Sequence, residues 1–183
     1  MAIPEYGLRV WKDSDNVNLA KYANNIKIFN NMRDLFPHPY TLEDANKFIA
    51  LANSQSPTKI FAITWDDEAI GSVGVFPKED ISRLNAEVGY WIAEPFWGRG
   101  LATQAMADII DYGFQTFQLK RIFAIPFPHN LASKRVLEKN GLVLEAVIKD
   151  SLIKNNTMMD ELIYSIREED WKKLITSQDS KQR

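Results

Sequence analysis

Trp97-Gly98-Arg99-Gly100-Leu101-Ala102-Thr103 combines two glycines with the start of an apolar-periodic helix, and that combination suits the holding of a phosphate. Glycine lets the backbone of a turn approach an anion closely. The unpaired N–H groups and the dipole of a helix start then favour negative charge. A glycine pair between a strand and a helix also serves as a plain tight connection, so the motif gains weight from what surrounds it.

Other chemistry is narrowed by residue type. The chain has no cysteine, which excludes a covalent thiol enzyme and any disulfide and fits a reducing compartment. Its two histidines, His38 and His129, stand in different loops without metal-ligand spacing, and no metal is expected. With 22 basic and 24 acidic residues the net charge is −2, which gives no general field for nucleic acid. Lys134 and Arg135 are the candidates for a local basic spot.

The elements that must position these residues follow from hydrophobic period. Tyr6–Trp11 alternates like a strand, and Leu19, Tyr22, Ala23, Ile26 and Phe29 recur at helical spacing. Two prolines keep Leu35–Tyr40 a loop, and Thr41-Leu42-Glu43-Asp44 reads as a capping-box variant opening a helix with Ala45, Phe48, Ile49 and Ala52 inside. Strands are expected over 59–65, 69–76 and 87–92 as consecutive antiparallel neighbours, then a helix from Leu101, a strand over 120–125, and a helix from Asn130 closed by Gly141. Two strands joined at Lys154–Thr157 and a last helix over 167–176 complete a mixed-sheet α/β domain.

At 183 residues this is one domain of ordinary size, with a polar end that frays from Ser177. The start Met1-Ala2-Ile3-Pro4-Glu5 lacks the pattern of a signal peptide, and no apolar run nears the roughly 20 residues of a membrane span. A soluble cytoplasmic protein is expected.

The order of elements, together with 86–92, 96–103 and 129–141, resembles the GCN5-related N-acetyltransferase (GNAT) family. Within it, the segments Ala86-Glu87-Val88-Gly89-Tyr90-Trp91-Ile92, Phe96-Trp97-Gly98-Arg99-Gly100-Leu101-Ala102-Thr103 and His129-Asn130-Leu131-Ala132-Ser133 are similar to the ribosomal-protein N-acetyltransferase branch. The resemblance implies a single domain over 8–171, followed by a tail at 172–183, with a mostly antiparallel sheet splayed at the cofactor site. It also implies transfer of acetyl from acetyl-coenzyme A to an amine. Two positions depart from the wider family. Trp97 stands where its phosphate loop commonly begins with Gln or Arg, as is usual in this branch, and Leu137 replaces a tyrosine that protonates the leaving thiolate.

Carried onto this chain, the resemblance assigns the pyrophosphate to the N–H groups of Gly98, Arg99, Gly100, Leu101, Ala102 and Thr103, with Arg99 as an added charge. Pantetheine falls to main-chain groups of Trp91, Ile92 and Ala93 and to the Asn130 amide, whose alternative role is the N-cap of its own helix. An N–H near Ile92 or Ala93 meets the oxyanion, Glu87 takes the amine proton directly or through water, and Ser133 is the hydroxyl acid in place of the tyrosine. Glu87 has a plain structural alternative as a strand carboxylate, and Ser133 as a cap. Phe36, His38 and Tyr40 line the acceptor pocket, with the hairpin around Asn155 opposite. The acceptor is a protein N-terminal amine or a small-molecule amine, and the protein a monomer or homodimer. Two other readings are a non-catalytic coenzyme A-binding module and a dinucleotide oxidoreductase, the latter lacking an acid after Ile125-Pro126-Phe127-Pro128.

Overall fold

The backbone groups of seven strands pair in the order β1-β2-β3-β4-β5-β7-β6 in a computed structural model that describes residues 5–179, with the side chains of 178 and 179 left aside. The strands are β1 (Tyr6–Arg9), β2 (Ile60–Trp65), β3 (Glu68–Pro77), β4 (Asn85–Ile92), β5 (Arg121–Ala124), β6 (Val143–Lys154) and β7 (Thr157–Arg167). The helices are α1 (Asn16–Ala23), α2 (Ile26–Phe29), α3 (Leu42–Asn53), α4 (Leu101–Phe117), α5 (Leu131–Lys139) and α6 (Glu168–Asp179). The sheet is mixed: β4 and β5 run parallel, joined through α4, whereas β1–β2, β2–β3, β5–β7 and β6–β7 are antiparallel. This is the α/β architecture expected. The chain packs as two compact units, with β3, β4 and α4 each contributing residues to both.

The first unit runs up to Gly74 and takes in Gly89–Ala105. Its core gathers Trp11, Leu19, Ala23, Ile49 and Ala52 with Ala62, Ala69 and Trp91. The helical spacing from Leu19 to Phe29 resolves into two helices where one was expected. Asn25 is extended, at φ −138° and ψ 120°, and its side chain accepts from the Lys27 N–H, so a local Asn–backbone bond ends α1 and caps α2. β1 stops at Arg9, short of the expected Trp11. Thr41 and Asp44 form a reciprocal capping box at the start of α3. Gly71 is required by a close approach, since a Cβ there would lie 2.3 Å from the Trp91 carbonyl oxygen.

The second unit comprises Val75–Val88 and the chain from Met106 onward. The parallel register places Asn85 opposite Arg121 and Glu87 opposite Phe123, so these four side chains share one face of the sheet. Their neighbours Ala86 and Ile122 are fully buried on the other. Gly141, at φ +77°, closes α5 as expected. The hairpin between β6 and β7 turns on Asn155 and Asn156, both at positive φ. α6 runs on to Asp179, through the expected boundary between domain and tail, and Trp171 on it donates to Asp111 of α4 at 3.2 Å. Residues 180–183, and Met1–Pro4 on which the reading of the chain start rested, lie outside the described residues. Among the described residues no helix is long and apolar enough to cross a membrane.

Candidate active site

In the first unit, the end of β4 leads through a 3-10 turn at Glu94–Phe96 into the glycine turn. Gly98 and Gly100 hold φ of +75° and +82°, and nothing lies within 4 Å of where a Cβ would project from either. Thr103 and Gln104 both close onto the Gly100 carbonyl. Among the described residues the N–H groups from Gly98 to Ala102 have no protein acceptor. Leu101 is buried and anchors the helix start. The result is a run of backbone donors on a turn of two positive-φ glycines, the kind of backbone that can take an anion.

Arg99, within this turn, has its side chain held by neighbours. Its guanidinium donates to the Pro95 carbonyl at 3.2 Å and lies over the rings of Phe96 and Trp65, at 5.3 and 5.9 Å. Aromatic faces and a carbonyl hold the cation locally, a packing role that stands beside the expected charge contact.

The main-chain groups expected for pantetheine divide by strand alternation. The Ala93 N–H donates to the Ile70 carbonyl at 2.8 Å and so faces β3, which removes it from the expected cofactor and oxyanion role. The Trp91 carbonyl points the same way, toward Gly71. The main-chain groups of Ile92 therefore face the opposite edge. There the Ile92 carbonyl accepts from Trp97 Nε1 at 2.7 Å, leaving the Ile92 N–H as the group offered to a ligand.

Glu94 just beyond accepts from Asn25 at 2.8 Å and from Lys27, bonds that hold its carboxyl below the usual carboxylate range. This latch between the glycine-turn approach and the α1–α2 joint went unseen in the sequence because no local spacing links positions 69 residues apart.

Of the expected acceptor residues, Phe36 packs on Tyr40 at 5.0 Å and edge-on to Trp91 at 6.0 Å, while His38 stacks on Phe29 at 5.3 Å. Tyr40, however, is a core residue at 6 % exposure, and its N–H donates to Asn24. Burial pushes its phenol up, with Asp44 adding to the effect. Tyr40 thus supports the loop from within instead of forming an open wall.

The second unit carries the remaining candidates. Glu87 lies with its side chain 15 % exposed and accepts from Lys78 Nζ at 3.0 Å. The Lys78 N–H donates to the Asn85 carbonyl at 2.8 Å, a hairpin register that sets Lys78 diagonal to Glu87 on one face. That register was the signal available for Lys78, which the motif-based reading passed over. Asn130 accepts from the Ser133 N–H at 3.0 Å through Oδ1 and so is the N-cap of α5. Its Nδ2 has no protein partner among the described residues, so the cap and a donor role are compatible. The Ser133 hydroxyl is likewise without a protein partner among the described residues. Leu137 is buried at 1 % exposure. Lys134 donates to the Pro128 carbonyl at 3.0 Å. Among the described residues no group of three or more His, Cys, Asp or Glu side chains is placed to hold a metal.

The mixed sheet and the glycine turn between β4 and α4 define an α/β class of protein, and comparison with known proteins identifies its family. Residues 6–143 match the acetyltransferase (GNAT) domain model, and the chain belongs to that family. It is 33% identical over 133 residues to the uncharacterized N-acetyltransferase YnaD of Bacillus subtilis, covering 72% of this chain and 77% of that one. It is 29% identical over 126 residues to the ribosomal-protein-serine acetyltransferase of Escherichia coli, covering 67% and 70%. Two further Bacillus subtilis relatives are spanned over only 55% and 59% of their lengths. Among solved structures, RimL, a ribosomal alpha-N-protein acetyltransferase in complex with coenzyme A, superposes with a TM-score of 0.78 at 20% identity, over 88% of this chain and 93% of that one, a likeness of fold.

Proposed function

We propose that this chain transfers an acetyl group from acetyl-coenzyme A to a primary amine by direct attack in a ternary complex. The glycine turn carries this reading, because two positive-φ glycines and a run of N–H groups with no protein acceptor among the described residues are the backbone features that suit a pyrophosphate. When bound, acetyl-coenzyme A supplies the activated acyl group as a thioester.

The chain's own residues then divide the work. Backbone donors from Gly98 to Ala102 hold the diphosphate, with the Ile92 N–H placed to pair with the cofactor's carbonyl oxygens. Asn130 Nδ2 donates to a pantetheine amide while Oδ1 keeps α5 capped. Glu87 accepts the amine proton, and the Ser133 hydroxyl is the donor to the leaving thiolate. That last step needs little help, since a thiol has a pKa of about 8 to 9. The relation to ribosomal-protein acetyltransferases supports a protein N-terminal amine as acceptor, with Phe36 and His38 on its path, and the small-molecule amine is the other candidate.

The engagement of Glu87 by Lys78 favours one second reading, a coenzyme A-binding module with its carboxylate held structurally. A thermal-shift titration with acetyl-coenzyme A against NADH tests the cofactor. Saturation at a hundred times Kd stabilises the fold by about 2.7 kcal/mol. Stabilisation by NADH alone would sink the proposal. Thiol release on adding an amine panel, abolished in Glu87→Gln with unchanged cofactor affinity, separates the enzyme from the module.

A further inference from the structure

We infer that the Glu87 carboxylate and the Phe123 ring form a seat for a primary ammonium, which Lys78 fills from within the chain and which the amine acceptor takes by displacing it. The inference rests on the reading of Glu87 as the group that receives the acceptor amine. Lys78 Nζ lies 3.0 Å from Glu87 Oε2 and 5.3 Å from the centre of the Phe123 ring. A carboxylate and an aromatic face converging on one nitrogen are the two groups that recognise an alkylammonium. Lys78 Nζ is itself such a group, so its position marks where another primary ammonium binds.

The two cations at Phe123 differ in how they are held. Arg121, 4.8 Å from the ring, donates to Glu145 through Nε at 3.0 Å and through Nη2, and reaches Asn85 at 3.3 Å. A bidentate guanidinium fixed in this way stays in place. Lys78 makes one ionic contact, and its side chain is 41 % exposed. It can leave for water at small cost. Glu87 is the buried partner, and departure of Lys78 with nothing in exchange costs it an ion pair in a poorly solvated place. Exchange of one ammonium for another avoids that cost, whereas a neutral alcohol cannot make the exchange. Lys78 is thus an internal competitor that occupies the seat until an amine arrives.

The test follows the Lys78 side chain directly. In protein carrying ¹³C-lysine, the Lys78 Cε signal is identified by its loss in Lys78→Met, and its released position is set by Glu87→Gln. Titration of wild type with n-propylammonium chloride is expected to move the signal to the released position, while equal sodium chloride or n-propanol leaves it in place. A Lys78 signal unmoved by n-propylammonium, or moved equally by sodium chloride, overturns the seat. These readouts need no turnover, so loss of the acetyltransferase reading would appear separately, as absent thiol release with the displacement intact.

Discussion

The indole Nε1 of Trp97 donates to the carbonyl of Ile92 at 2.7 Å, tying the last residue of β4 to the entrance of the glycine turn. The bond occupies the Ile92 carbonyl and ties the approach to the turn to the strand end. Trp97→Phe keeps the ring and removes the donor. The loss of one partly exposed hydrogen bond costs about 1 kcal/mol. If the bond preorganises the cofactor edge, that cost is expected in the affinity for acetyl-coenzyme A, as a Kd raised about fivefold by calorimetry. Unchanged affinity with a lowered Tm would make Trp97 a stabilising residue alone.

Gly100 at φ +82° admits a side chain into open space but not into its backbone conformation. A left-handed residue with a Cβ costs about 1–2 kcal/mol, and a β-branched one fits worse. Gly100→Val is expected to lower Tm by a few degrees and to abolish the acetyl-coenzyme A thermal shift. Retention of the shift would remove the turn from cofactor binding.

Gly71 presents the opposite case, with an ordinary φ and no room. Its Cβ would meet the Trp91 carbonyl at 2.3 Å and the Ile92 Cα at 3.0 Å, both backbone atoms that cannot rotate aside. Gly71→Ala is expected to destabilise by about 1–3 kcal/mol. Denaturant unfolding of the pair of proteins measures this, and equal midpoints would contradict the close approach.

Glu168 opens α6 between Lys120 and Lys172, and their hydrogen bonds lower its pKa from 4.5 to about 2. A carboxylate depressed in the folded state contributes stability that is fully present above its unfolded pKa and is lost as pH falls through the folded value. The stability difference between wild type and Glu168→Gln should therefore be constant at neutral pH and shrink between about pH 4.5 and 2. Urea unfolding across that range measures it. A difference independent of pH would show that the group gains nothing from its lysines.

Glu87→Gln keeps the shape of the side chain and removes its charge, so Lys78 loses its ionic partner. Turnover is expected to fall by about 10²–10⁴, the contribution of a positioned acid–base group, with acetyl-coenzyme A affinity unchanged. Activity within a few-fold of wild type would assign Glu87 to the structural role alone.

Local signals made most of the elements legible. The positive φ at Gly98, Gly100 and Gly141, the caps at Thr41 and Asn130, and the apolar stripe of α4 are properties of short segments, and short segments are what periodicity and turn chemistry read. The same locality explains the misreading of Leu19–Phe29, where apolar spacing continues across a break made by the Asn25 side chain.

What the sequence determined by itself was the kind of backbone at each of these places, the glycine turn included. Tertiary structure alone decided which polar groups were already spoken for. Ala93 gives its N–H to Ile70, Trp97 takes the Ile92 carbonyl, Arg99 folds onto Phe96, and Lys78 sits on Glu87. Each of these pairings forms across a strand register or a bend of the chain. A hydrogen bond or ion pair depends on distances of about 3 Å, and residue type and spacing set no such distance until the strands have found their partners.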